Sequence, residues 1–234
     1  MFYKIISIFI FITFTFVFFI FGLIFILISL LLPNKYIYSY LNYFCYLVLC
    51  SLGAIPKINQ PFPKGKQYIV MFNHSSFIDA FVFGYSVKGK LTGVIAKENL
   101  KYPLFGYLCR RFNAIAIDRK NKKSALESMK NAERTIKQGY SIGILPEGTR
   151  TVSGKMGPLK KGGFHMAINT RIPILPVGIV GAFNYKPKNR WWFKPQKIKI
   201  NYGTPIHPNT YNKLGIEGLM SEVSLQLKTL SKEK

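Results

Sequence analysis

The chain has 234 residues, 49% of them hydrophobic, with 33 Lys and Arg against 9 Asp and Glu and a formal net charge of +24. That length suits one substantial domain with an appendage and argues against a multi-domain assembly, while the charge directs attention to anionic partners: phospholipid headgroups, phosphorylated small molecules, an acidic carrier protein or nucleic acid. Cys45, Cys50 and Cys109 are odd in number and lack metal-ligand spacing, so neither a disulfide framework nor a zinc site is suggested, and reduced thiols are expected.

Residues 5–32 contain no charged residue and no proline, a run long enough to cross the roughly 30 Å hydrocarbon layer of a bilayer. We read it as a membrane anchor rather than a signal peptide, because it is too long and no small-residue cleavage site follows. A second uncharged run, residues 36–55, is less apolar and rich in tyrosine; a second span, a re-entrant helix and an interfacial amphipathic helix all fit it. Residues 56–66, with Pro56, Pro61 and Pro63, read as a linker. The resulting division is a helical anchor over 1–56, a linker over 57–66 and a folded domain over 67–234. The crowd of Lys and Arg beyond the anchor places that domain on the cytoplasmic side of a membrane, and the cysteine usage agrees with a reducing compartment.

Strand-like runs recur at residues 68–72, 91–96, 114–117, 141–145, 174–180 and 197–202, with helical stretches between most of them. The alternation predicts an α/β domain, a layered mixed β-sheet flanked by helices. The best-signalled helix starts at Lys123 or Ser124 and runs to Gln138, where Ser124 and Glu127 form a capping pattern, Leu126, Met129 and Ile136 an apolar face, and Gly139 a stop. Ile216, Leu219, Val223, Leu227 and Leu230 fall at helical spacing and predict a closing amphipathic helix.

Asn73-His74-Ser75-Ser76-Phe77-Ile78-Asp79 joins the first of these strands to a helix expected over residues 77–87. Five positions along a regular helix separate two side chains by about 140°, so His74 and Asp79 cannot pair on one continuous helix. They can pair if His74 lies in the turn and Asp79 in the first turns of the helix, where a carboxylate also suits the helix N-terminus. Such a carboxylate fixes the imidazole tautomer and leaves the other ring nitrogen free to take a proton. On spacing alone a structural histidine is the commoner outcome. Ser75 and Ser76 are not read as nucleophiles, since no G-x-S-x-G elbow surrounds them, and a serine here is expected to cap the helix. His165 and His207 lack nearby acids in sequence, and no metal site is expected. Arg190-Trp191-Trp192-Phe193-Lys194, preceded by Lys186 and Lys188, suits either a membrane interface or a packed hairpin tip.

Three further blocks follow in order: Lys97 with Leu100, Pro103, Gly106 and Ile117-Asp118-Arg119; then Pro146-Glu147-Gly148-Thr149-Arg150; then Ile172-Pro173-Ile174-Leu175-Pro176-Val177. With His74-x4-Asp79, the HX4D motif, they resemble the four motifs of the glycerolipid acyltransferases, most closely the bacterial 1-acyl-sn-glycerol-3-phosphate acyltransferases. The resemblance covers residues 70–181. It departs at Asn113, where the family commonly has glycine, and at Leu145, where phenylalanine is common.

The resemblance implies an enzyme of phospholipid biosynthesis that moves a fatty acyl group from a thioester, acyl-CoA or acyl-acyl carrier protein, onto the sn-2 hydroxyl of lysophosphatidate, with no bound cofactor. His74 would be the general base and Asp79 its orienting partner. Lys97 and Arg150 would bind the substrate phosphate, with Arg119 third and equally readable as half of an ion pair; arginine's planar fork suits phosphate oxygens. Glu147, Gly148 and Thr149 would shape the site. Membrane lipids are the other expected partners, nucleic acid is not, and the bacterial inner membrane is the setting the resemblance implies. Two alternatives stay open: another lysophospholipid or a lyso-aminolipid as acceptor, or a non-enzymatic membrane protein that binds anionic lipid.

Overall fold

Seven strands form one sheet in the order β1-β7-β6-β2-β5-β3-β4, parallel throughout except for the antiparallel pair of β6 and β7. The computed structural model describes residues 1–31, 34–64, 67–118 and 122–232, and of residues 34, 35, 122–126 and 129 the backbone alone. In chain order the elements are α1 (Phe2–Leu31), α2 (Asn34–Ser51), β1 (Ala54–Ile58), β2 (Ile69–Phe72), α3 (Asp79–Ser86), β3 (Leu91–Ala96), a 3₁₀ turn (Lys97–Lys101), α4 (Pro103–Arg111), β4 (Ile115–Ile117) and α5 (Lys122–Lys137). They continue with β5 (Ser141–Ile144), α6 (Gly162–Thr170), β6 (Ile174–Val180), α7 (Ala182–Tyr185), β7 (Gln196–Tyr202) and α8 (Tyr211–Ser231), the last bent where Gly215 takes a non-helical conformation.

Strand side chains alternate between faces, and the alternation sorts the core into two layers. From β2, Val70 and Phe72 join Leu175, Val177 and Ile179 of β6 on the face covered by α1, α2, α3 and α4. Ile69 and Met71 join Ile142, Ile144 and Ile174 on the face covered by α5, α6 and α8. All four residues of β2 are buried, as expected of a central parallel strand covered on both sides.

The second uncharged run of the sequence becomes α2, which packs on α3 so closely that a β-carbon at Gly84 would overlap the Cys45 sulfur. Ile37, Val48, Leu49 and Leu52 are buried there, so α2 shares a core with the sheet. By contrast α1, 30 residues long, stays exposed along most of its length. At about 1.5 Å per residue it is long enough to cross a bilayer.

Three sequence expectations change. The segment read as a linker over 57–66 begins inside β1, which pairs with β7 from Ala54↔Gln196 to Ile58↔Ile200; Pro56 is tolerated because β1 is an edge strand. The first site helix begins at Asp79 rather than at residue 77. Its capping residue is not a serine: the Asp79 carboxylate accepts the Ser75 and Ser76 amides, while the Ser76 hydroxyl donates to the Lys186 carbonyl at 2.9 Å. On α5 the predicted face is seen through Ala132 and Ile136, the side chains of Ser124, Leu126 and Met129 lying outside the described residues.

Candidate active site

The site lies at the carboxyl ends of the parallel strands, where open α/β sheets place their crevices. His74 follows β2, Lys97 opens the turn after β3, Glu147 to Arg150 follow β5, and Lys186 follows β6 and α7. Asn73 ties the start of this loop to β6: its side chain accepts the Ile179 amide at 2.7 Å and donates to the Ile179 carbonyl at 3.1 Å.

His74 Nδ1 and Asp79 Oδ2 are 2.8 Å apart. The same oxygen accepts the Ser75 amide at 2.8 Å and the Ser76 amide at 3.0 Å, so the turn wraps around the carboxylate. Asp79 is fully buried while the imidazole keeps 18% of its side-chain surface exposed. With Nδ1 engaged, Nε2 is the ring nitrogen available to a ligand. Neither Ser75 nor Ser76 lines the two cavities that His74 borders.

Glu147 holds the backbone around His74. Its Oε1 accepts the His74 amide at 2.6 Å and its Oε2 the Gly157 amide at 2.8 Å, and Thr151 donates its amide to the His74 carbonyl at 2.9 Å. Gly148 has φ +70°, a left-handed turn that glycine adopts without strain, and Lys160 folds across it. Thr149 is exposed at the rim.

The larger cavity that His74 borders, about 880 Å³, lies on the α1 and α3 face; Phe11, Phe14 and Phe18 of α1 and Phe77, Phe81 and Phe83 make much of its wall, and Arg150 lies at its edge. A smaller one, about 300 Å³, lies on the opposite face between α5 and α6. Lys97 is exposed, and its neighbours Ala96 and Asn99 line the larger cavity. Arg119 lies outside the described residues.

The sequence motifs missed two contributors. Lys186 is half-buried, and its ammonium is held below the ordinary lysine range by burial first and then by the nearby Arg150 and Arg190 guanidinium groups. That places Lys186 within electrostatic reach of Arg150. The sequence signal was the basic and aromatic patch after residue 185, which read as a membrane interface or a packed hairpin tip. The other contributors are the α1 phenylalanines: in a helix apolar all round, no stripe marks the side that lines a cavity.

Comparison with known proteins gives the family. The sequence profile of the Acyltransferase family matches residues 56–180. A 1-acyl-sn-glycerol-3-phosphate acyltransferase of Cocos nucifera is 37% identical over 147 residues, 62% of this chain and 47% of that protein. The one from Pseudomonas aeruginosa is 33% identical over 143 residues, 61% of this chain and 55% of its own length. The chain thus spans about half the length of the curated relatives it matches. The crystal structure of the 1-acyl-sn-glycerophosphate (LPA) acyltransferase PlsC from Thermotoga maritima superposes with a TM-score of 0.84 at 25% identity, covering 97% of this chain and 95% of that one. With its profile matched over more than half of the sequence, the chain belongs to the acyltransferase family.

Proposed function

We propose that the protein transfers a fatty acyl group from an acyl thioester to the sn-2 hydroxyl of 1-acyl-glycerol-3-phosphate, giving phosphatidate. The observation that carries this reading is the 2.8 Å contact of His74 Nδ1 with buried Asp79 Oδ2 at the border of a cavity lined by phenylalanines on one side and edged by Arg150. An activated alcohol, an acyl chain and a phosphate each find a matching group there. The names of the relatives support the same acceptor.

In this mechanism Nε2 of His74 takes the proton from the acceptor hydroxyl as its oxygen attacks the thioester carbon. Asp79 keeps the imidazole in the required tautomer and stabilises its cation. The tetrahedral adduct collapses with cleavage of the carbon–sulfur bond, and Nε2 returns the proton to the departing sulfur. The products are the ester and a free thiol, with no covalent enzyme intermediate. Arg150, Lys97 and Lys186 hold the phosphate, Arg119 remaining a candidate on sequence grounds. The donor's acyl chain occupies the cavity walled by the α1 phenylalanines. That use of α1 makes it a working part of the fold, and with most of its surface apolar and exposed it belongs in the membrane from which a lysolipid enters. The basic remainder faces the cytoplasm.

An acyl-transfer assay on purified protein tests this, crossing acyl-CoA and acyl-acyl carrier protein with lysophosphatidate, lysophosphatidylcholine and a lyso-aminolipid. Lysophosphatidate is expected to turn over fastest, His74→Ala to lower kcat by about 10²–10⁴-fold with the fold intact, and Asp79→Asn to fall in the same range. Full activity in folded His74→Ala removes the mechanism; preference for an uncharged acceptor removes the phosphate assignment.

A further inference from the structure

The two cavities meet at His74 from opposite faces of the sheet, just past the end of the ladder between β3 and β5. That ladder ends at Gly93↔Gly143, one residue before β5 itself ends at Ile144. Beyond it β3 runs on to Ala96, paired on its other edge with β4. Val94, Ile95, Ile144 and Leu145, at this end of the two strands, line both cavities, as His74 does.

We propose that the smaller cavity is the binding site for the phosphopantetheine arm of the acyl thioester, with Lys160 on its phosphate. The thioester then passes the end of the β3–β5 ladder, where the two cavities share their lining, its acyl chain on the α1 face, its thiol arm on the α5 and α6 face and its carbonyl carbon at His74. The assignment rests on the acyl-transfer reading above and adds where the donor's second arm lies.

A thioester is a linear molecule with its reactive carbon between two unlike arms, and the two cavities are unlike in the same way. The fatty arm is wholly apolar and matches a wall of phenylalanines. The thiol arm alternates methylenes and a dimethyl carbon with two amides and ends in a phosphate. The smaller cavity combines Ile117, Ile144 and Met166 with Ser128, whose hydroxyl donates to the Ala116 carbonyl at 2.9 Å, the backbone of Gly162 and Gly163, and a lysine. Its volume of about 300 Å³ lies at the lower end of small-molecule sites, suited to a narrow linear arm with one dimethyl carbon and too small for a whole nucleotide-bearing carrier.

Charge and access agree. The Lys160 amide donates to the Pro146 carbonyl at 2.9 Å, and its ammonium would lie 2.9 Å from a β-carbon at Gly148, so the cation hangs over the turn next to His74. Lys160 and Gly162 are both exposed, which opens the cavity to solvent on the face away from α1, where a water-soluble donor arrives. No acidic residue occurs in sequence between Glu147 and Glu217. Of the two acids that bound this stretch, Glu217 pairs with the neighbouring Lys161 at 2.5 Å, and Glu147 accepts the His74 and Gly157 amides.

The test uses the full chain and three donors bearing the same acyl group: acyl-CoA, acyl-acyl carrier protein, and acyl-N-acetylcysteamine, which keeps the thioester and one amide but lacks the phosphate. Lys160→Met is expected to lower the ratio of kcat/KM for acyl-CoA or acyl-carrier protein over acyl-N-acetylcysteamine by about tenfold, the scale of one charge-assisted hydrogen bond. Gly162→Leu, at a position where a β-carbon meets nothing within 4 Å, is expected to raise KM for both carriers while KM for lysophosphatidate stays constant. An effect confined to one carrier upholds the site and identifies that carrier as the donor. Unchanged donor ratios, or a rise in lysophosphatidate KM instead, overturn the proposal. Titration of acyl-CoA binding separates this from the reaction itself. If no acyl group moves to any acceptor but binding is lost in Lys160→Met, the cavity assignment stands and the acyl-transfer reading falls; equal binding in wild type and variant overturns the assignment.

Discussion

Glu147 grips the main chain of His74, its Oε1 accepting the His74 amide at 2.6 Å while Oε2 accepts the Gly157 amide at 2.8 Å. The carboxylate is 4% exposed, so both bonds form away from water, where charged acceptors bind donors most strongly. Glu147→Gln keeps the size but presents one amide N–H₂ to a backbone donor, leaving that pair unsatisfied. We expect a stability loss of about 1–3 kcal/mol and a fall in kcat larger than any rise in acceptor KM, because the histidine's placement suffers while the phosphate cations are untouched. Thermal unfolding in detergent and steady-state kinetics read the two effects; wild-type kcat with wild-type stability would contradict the assignment.

Asn113 stands where the family commonly has glycine, and the structure shows how the chain accommodates it. Its φ of 53° is left-handed, a region asparagine tolerates better than other non-glycine residues. Its carbonyl accepts the Thr92 hydroxyl at 2.9 Å, and its amide donates to the Tyr140 hydroxyl at 3.2 Å. Asn113→Gly trades a hydrogen bond for relaxed backbone and is expected to remain within about 1 kcal/mol of wild type. Asn113→Val is expected to cost about 1–3 kcal/mol. Equal melting temperatures for the two variants would show that the turn carries no strain.

The strands at residues 91–96 and 174–180 were legible to the residue because both are apolar runs with abrupt ends. The pairing of His74 with Asp79 was legible too, since helix geometry left the turn as the one place where they could meet. Strand β1 was hidden by Pro56, which reads as a breaker except at a sheet edge, and edges are a property of the assembled sheet. Helix α6 opens with Gly162 and Gly163, poor helix formers that masked it. Lys186 was legible only as part of a basic and aromatic patch: it reaches the site because the Ser76 hydroxyl bonds its carbonyl across 110 residues of chain, and no local pattern encodes such a contact. The end of the β3–β5 ladder at Gly93↔Gly143 is likewise a matter of register, which a sequence of short apolar strands leaves open.

Burial, Arg150 and Arg190 hold the Lys186 ammonium below the usual lysine range, and with Lys186 on the acceptor phosphate, as proposed, this predicts a pH dependence of acceptor binding. A depressed lysine is charged in the folded protein only at lower pH, at a cost that is relieved as pH rises through its folded-state value. A bound phosphate favours the charged form. Acceptor binding is therefore expected to be tight at neutral pH and to weaken as the pH climbs toward the lysine range, earlier than ordinary lysine would allow. Lys186→Arg, whose guanidinium stays charged, is expected to flatten the alkaline rise in acceptor KM. An identical profile in the variant would exclude Lys186 from the phosphate site.

The loop after α7 is clasped to the start of α1, and the clasp leaves one tryptophan outside. Tyr3 stacks on Trp192 with ring centroids 5.7 Å apart and planes 8° from parallel, Arg190 covers the Trp192 ring at 3.8 Å, and the Phe193 amide donates to the Ser7 hydroxyl at 2.8 Å. Trp191 is 60% exposed, with Lys188 and Lys194 also exposed on the same loop. An indole flanked by cations next to an apolar helix fits the headgroup layer of a membrane, where tryptophan is enriched and each lysine contributes about 1 kcal/mol on anionic lipid. Because Lys186 begins this loop and its carbonyl holds Ser76, a loop seated among headgroups would bring the phosphate cations to the depth of the acceptor's own phosphate. In Trp192→Phe protein reconstituted into anionic vesicles, Trp191 fluorescence is expected to shift to the blue and to be quenched by lipids brominated near the headgroup more than by aqueous iodide. Lys188→Glu is expected to weaken that lipid quenching without changing kcat in detergent. Quenching by iodide alone would place Trp191 in water and leave α1 as the membrane contact without the loop.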